Sequence, residues 1–167
     1  MSRRGEFGFP YTVDPGLIRG NGSDVTAMGA TNEAFYARVR DAGPITKIGL
    51  YVGTSSGNIS VGVYRNSGKG RAAVPYARVS TSGAVACPAT GYQEVSLLTP
   101  CFVRAGDWIG ISADNTTATF GVLLSAANGT SSWGNGRQCR QLTAHPVPTT
   151  PSGLASTVGY TFVLVGV

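Results

Sequence analysis

Gly53-Thr54-Ser55-Ser56-Gly57 fits the pattern G-x-S-x-G, and Ser55 stands where such a turn would present a nucleophilic hydroxyl. That chemistry needs a strand before the serine, a helix after it and a base within reach. The segment before, Ile48 to Val52, alternates as a strand. The segment after, Asn58-Ile59-Ser60-Val61-Gly62-Val63-Tyr64-Arg65, alternates as well, so the motif reads as the turn of a hairpin. The sequence has 1 histidine, His145, in a proline-flanked stretch that nothing pairs with Ser55. Acid–base hydrolysis of a glycoside would need two carboxylates across a cleft. Glu94 and Asp107, on or beside strands, are the acids open to that role, although Asp107 after Gly106 also suits an ordinary turn. Cys87, Cys101 and Cys139 are odd in number and widely spaced, without C-x-x-C, which argues against zinc and against a disulfide framework. A Cys87–Cys101 bridge stays open. No phosphate loop, dinucleotide fingerprint or calcium loop is present. The expectation is therefore a non-enzymatic protein with no cofactor and no metal.

Aromatic side chains offer a different chemistry, because the C–H faces of a sugar stack on flat rings. Trp108, Trp133, Tyr64 and Tyr92 are the candidates. Trp108 falls in a strand and suits a core, whereas Trp133 lies in a long polar stretch and is the better exposed candidate. Phe7, Phe9 and Tyr11, separated by Gly and Pro near the start, suit an arm that docks on its own domain or on a neighbouring subunit. With Trp133, the flanking Arg137 and Arg140 complete a set of interface candidates.

The elements that must position these residues are strands. Only 13% of the 167 residues are charged, and glycine, at 24 residues, is abundant, which suits a turn-rich β protein and not helices. Eight or nine short alternating segments follow one another. Ile48, Leu50 and Val52 share one face; Ile59, Val61 and Val63 share another; Val95 with Leu97, and Ile109 with Ile111, repeat the pattern. The two last segments, ending in Tyr160-Thr161-Phe162-Val163-Leu164-Val165, are apolar enough for burial on two faces. The expected fold is all-β: an antiparallel, jelly-roll-like β-sandwich over residues 33–167. Residues 1–32 form an extended N-terminal arm, and residues 126–159 form a long loop.

The net charge of +5 rests on scattered arginines, not on one basic face with aromatic platforms, so nucleic acid is not the expected partner. No apolar run reaches the roughly 20 residues of a membrane helix, and Met1 to Phe7 carry no apolar stretch of a signal peptide. Synthesis in a host cytoplasm without membrane insertion is the expectation. The four N-x-S/T sequons at Asn21, Asn58, Asn115 and Asn128 are then turn composition.

From Ile45 to Phe120 the sequence resembles a β-sandwich module of tailed-bacteriophage virion proteins. The phrases that carry the likeness are ITKIGLYVGTSSGNISVGVYRNSGKG, ARVSTSGAVACPATGYQEVSL and VRAGDWIGISADNTTATF. Such modules recur in head-decoration and minor tail proteins, notably of actinobacteriophages, and look like the jelly rolls of carbohydrate-binding modules. The resemblance implies a capsid decoration or cement (minor capsid) protein on the virion surface. It implies a homo-oligomer, commonly a trimer, against major capsid or tail proteins. The alternative it leaves is a minor tail protein or glycan-binding module that contacts the host surface. The pattern holds no catalytic residue.

Overall fold

A computed structural model describes residues 25–69, 72–124, 138–157 and 160–167. These residues form strands and turns with no α-helix among them. The strands are β1 (Val25–Ala27), β2 (Glu33–Arg38), β3 (Gly43–Thr54), β4 (Asn58–Ser67), β5 (Val74–Thr81), β6 (Val85–Ala86) and β7 (Gly91–Val103). Then come β8 (Trp108–Ala113), β9 (Thr119–Leu124), β10 (Gln138–Gln141), β11 (Ala155–Thr157), β12 (Tyr160–Phe162) and β13 (Leu164–Gly166).

The pairing is nested and antiparallel. β1 pairs with β9, β2 with β8, β3 with β7 and β4 with β5. The chain is thus one long hairpin, rolled so that successive pairs fall alternately in two sheets. The first sheet runs β1-β9-β3, with β7 and β13 on β3; the second runs β11-β10-β2-β8-β4-β5. This is the jelly-roll form of an antiparallel sandwich. Rolling closes most of the hydrogen-bonding edges that an open sheet would expose.

Alternation decides what the sandwich buries. Ile48, Leu50 and Val52 from β3 meet Ile59, Val61 and Val63 from β4, with Val95 and Leu97 from β7 and Ile109 and Ile111 from β8, in one core between the sheets. These are the faces that period-2 reading assigns. β7 also joins two segments that read separately, Tyr92 to Leu97 and Cys101 to Val103. Instead of one terminal strand, the C-terminal segment breaks at Val163. β12 pairs with β9, β13 pairs with β3, and the Val163 N–H donates to Gly121 O between them.

Two boundaries differ from expectation. Val25–Ala27, inside the expected arm, is a strand of the first sheet, and three residues are too few for alternation to register. The described part of the expected 126–159 loop, residues 138–157, is not a projecting loop. β10 and β11 extend the second sheet beside β2, and the chain between them folds over that sheet's outer face. There Ala144, Val147 and Leu154 cover Ala34, Tyr36, Tyr64 and Trp108 in a second core. Hydrogen bonds fasten the cover: Tyr64 Oη donates to Pro148 O at 2.7 Å, Arg78 N to Thr149 O at 2.9 Å, Arg78 Nη1 to Val147 O at 2.5 Å and Ala144 N to Asn32 O at 2.6 Å, while beside it Tyr36 Oη donates to Gln141 Oε1 on β10 at 3.1 Å. The cover explains why β8 is buried along its whole length. Tyr36 and Tyr64 meet edge to face, 5.2 Å between centroids, in the space that Gly110 and Gly62 leave.

Candidate binding face

The serine motif dissolves into a turn. β3 precedes it and β4 follows it, so no helix supports Ser55. Ser55 is exposed, and its Oγ donates to Cys87 O at 2.9 Å. Gly57 has φ 57°, the left-handed region that favours glycine, and a Cβ there would meet Asp114 Oδ1 and Asn115 Nδ2 at 2.3 Å. His145 lies elsewhere. Its Nδ1 is 3.0 Å from the hydroxyl of Ser112, which is fully buried on β8. Burial holds the His145 pKa below its ordinary value, with Asp114 and the Ser112 bond opposing. The Asp114 carboxylate is spent on Asn58 N, Asn58 Nδ2 and Asn115 Nδ2, and these bonds, that from Asn115 first, lower its pKa to about 2. A serine with no solvent access is no nucleophile; Ser112 and His145 pin the covering segment to the sheet.

Two buried acids are also committed. Asp107 accepts from Arg65 Nη1 at 2.5 Å, Arg104 N at 3.0 Å and Asn66 N at 3.2 Å, while Asn66 Oδ1 accepts from Trp108 Nε1 at 3.0 Å. Glu33, fully buried, accepts from Gly29 N at 2.6 Å and Ala30 N at 3.0 Å and closes the turn before β2. Glu94 lies on the outer face of the first sheet and Asp107 at the start of β8 in the second, so the two do not flank a common cleft. Among the described residues, no group of three His, Cys, Asp or Glu side chains could hold a metal ion. Cys87, Cys101 and Cys139 are free thiols, so the Cys87–Cys101 bridge is not formed. Burial raises the Cys101 pKa.

Of the interface candidates, Phe7, Phe9, Tyr11, Trp133 and Arg137 lie outside the described residues. Arg140 is on β10, where its guanidinium pairs with Glu33 at 3.2 Å. One face of that side chain therefore braces its own domain, and 46% of it remains exposed.

Of the ring candidates, Trp108 and Tyr64 are core residues of the second sheet's outer face, whereas Tyr92 is 58% exposed. Tyr92 belongs to an outward face that the register of β3 and β7 assembles. Tyr51 is opposite Tyr92, Gly49 is opposite Glu94, and Lys47 is opposite Ser96. The Tyr92 ring does not stand up from the sheet. Its Oη, Cζ and Cε2 lie 2.3, 2.9 and 3.0 Å from where a Cβ on Gly49 would be, so the ring reclines over the glycine. Beside it, Lys47 Nζ and Glu94 Oε2 are 2.9 Å apart. Desolvation, then Glu94, raises the phenol pKa, with Lys47 opposing, which places the hydroxyl among these charges. Tyr51, half-buried, has glycines at 49, 53 and, across on β9, 121, where a Cβ would come within 3.0 Å of Tyr51 Cβ. The face carries two tyrosines, given room by Gly49 and Gly121, and one neutralised charge pair, with the side chains of Val25 and Thr119 over Gly53. Sequence reasoning names Tyr92 and passes over Tyr51, Lys47 and Gly49; the alternation of glycine with polar residues in Lys47-Ile48-Gly49-Leu50-Tyr51-Val52-Gly53 is the signal that points to them.

Comparison with protein-family models, curated proteins and solved structures returned no match.

Proposed function

We propose that the protein is a non-enzymatic structural protein of a tailed-phage virion, a capsid decoration or cement subunit on the particle surface. The observation that supports this reading is that the serine motif, the Ser112–His145 pair and the buried acids Asp107 and Glu33 are engaged within the fold. Ser55 is bonded into a turn, and the buried Ser112 is bonded to His145 of the covering segment. Asp107 and Glu33 are consumed by arginine and backbone N–H groups. What remains is a sandwich whose first sheet has an outward face, which suits a protein whose work is contact. The likeness of residues 45–120 to virion sandwich modules gives the class of particle. A homo-oligomer, commonly a trimer, against major capsid or tail proteins is the assembly that goes with it. Particles lacking the protein should bind it when it is added back and regain stability to heat or low salt. Failure to bind, with no loss of particle stability or infectivity on deletion, would remove the reading.

A second reading, a minor tail protein or module that contacts a host-surface glycan, is favoured by the exposed, reclining ring of Tyr92.

A further inference from the structure

The geometry of the first sheet points to a particular ligand site, and we propose that its outer face, centred on Tyr92 and Tyr51, binds an uncharged oligosaccharide. The inference rests on the second reading above and gives it a place and a ligand class.

Three observations carry it. The Tyr92 ring reclines over Gly49 and is 58% exposed, so a face of the ring is turned to solvent along the plane of the sheet. A pyranose presents a flat array of weakly positive C–H groups, the complement of an aromatic face. Next, Gly49 leaves room for the Tyr92 ring and Gly121 for Tyr51, so the ground around the two tyrosines stays low, while the side chains of Val25 and Thr119 close it over Gly53. Finally, the polar groups beside the ring are an ammonium and a carboxylate, Lys47 Nζ and Glu94 Oε2, 2.9 Å apart. Together they donate and accept hydrogen bonds, as vicinal hydroxyls require, and their charges cancel. A cancelled pair gives no attraction to an acidic polymer, which selects a neutral ligand. The exposed Ser96, opposite Lys47, adds a hydroxyl at the same edge.

Gly49 is a positioning residue here. A side chain at 49 must push the Tyr92 ring off the floor, while β3 keeps its place in the sheet. The test titrates isotope-labelled protein with cellohexaose, mannohexaose and xylohexaose, and with polygalacturonate as the charged comparison, following backbone amides by NMR. At least one neutral hexasaccharide at millimolar concentration is expected to move amides of Lys47 to Gly53 and Gly91 to Ser96. Tyr92→Ala should weaken that binding by about tenfold. Gly49→Val should weaken it similarly although Tyr92 is still present, with thermal melts showing both variants folded. If Tyr92→Ala does not fold, Gly49→Val with Glu94→Gln decides the matter alone. The proposal is overturned if no neutral hexasaccharide binds, if only polygalacturonate binds, if the moved amides lie elsewhere, or if folded variants bind unchanged. Loss of sugar binding would leave the particle-surface reading standing, and absence of the protein from particles would leave the sugar site standing.

Discussion

Removing the Glu33 carboxylate tests how the turn before β2 and strand β10 are tied to the sandwich. Glu33 is 0% exposed and accepts from Gly29 N, Ala30 N and Arg140 Nη1 at 2.6, 3.0 and 3.2 Å. Glu33→Ala leaves two backbone donors of a part-buried turn without their acceptor, about 0.5–1.5 kcal/mol each, and it also opens a void where the buried side chain was. Because the charge left behind, Arg140, is 46% exposed, the loss comes from these bonds and the void, about 2–4 kcal/mol in all. That is a large share of the roughly 5–15 kcal/mol that holds a domain together. At about 2–4 °C per kcal/mol for a chain of this size, the melting temperature should fall by roughly 4–16 °C. Arg140→Ala should cost less, about 1–2 kcal/mol, because 46% of that side chain is already in water and Glu33 keeps both backbone donors. Urea denaturation at constant slope, with the double variant closing the cycle, measures both losses and their coupling, expected near 1 kcal/mol. Equal losses in the two single variants, or a Glu33→Ala loss below about 1 kcal/mol, would refute the reasoning.

Three further outcomes follow from the same structure. The His145 pKa is depressed in the fold, so its contribution is present above the unfolded value near 6.5 and lost as pH falls below it; stability should drop between about pH 7 and 5, and His145→Gln should flatten that drop. Gly110→Ala places a methyl 2.8 Å from Tyr36 Cδ1 and 3.2 Å from Tyr64 Cε2, so it should destabilise by about 1–3 kcal/mol and alter near-UV dichroism from the two tyrosines. Asp107→Ala leaves the N–H groups of Arg104 and Asn66 without their acceptor, leaves Arg65 only its bond to Phe102 O, and frees the anchor of Trp108. Chemical denaturation should register a loss of about 3–5 kcal/mol, together with a change in tryptophan fluorescence.

The faces of the strands were legible because burial on one side imposes period 2. Ile48, Leu50 and Val52, or Ile59, Val61 and Val63, leave no other arrangement in a sheet with one dry face. The second core was not legible. Ala34, Tyr36, Tyr64 and Trp108 sit between those positions and carry the mixed chemistry of a surface that is half apolar and half hydrogen-bonding. What covers them, His145 to Leu154, is rich in Pro, Thr and Ser and reads as a loop, because its own backbone groups are satisfied by the sheet beneath and not by a ladder. The ring candidates sorted themselves for a similar reason. Trp108 and Tyr92 are both aromatic residues on outward positions of strands, and only the covering segment separates the buried one from the exposed one. The recline of Tyr92 depends on a register between strands distant in sequence, which alternation alone does not fix.

The central claim is that this sandwich works by contact on the surface of a virion. Cryo-electron microscopy of intact particles, with antibody labelling against the protein, tests it most directly. The account predicts regularly repeated density on the particle exterior into which the two sheets fit, absent from particles made without the gene. Purified, infectious particles that contain none of the protein would contradict it.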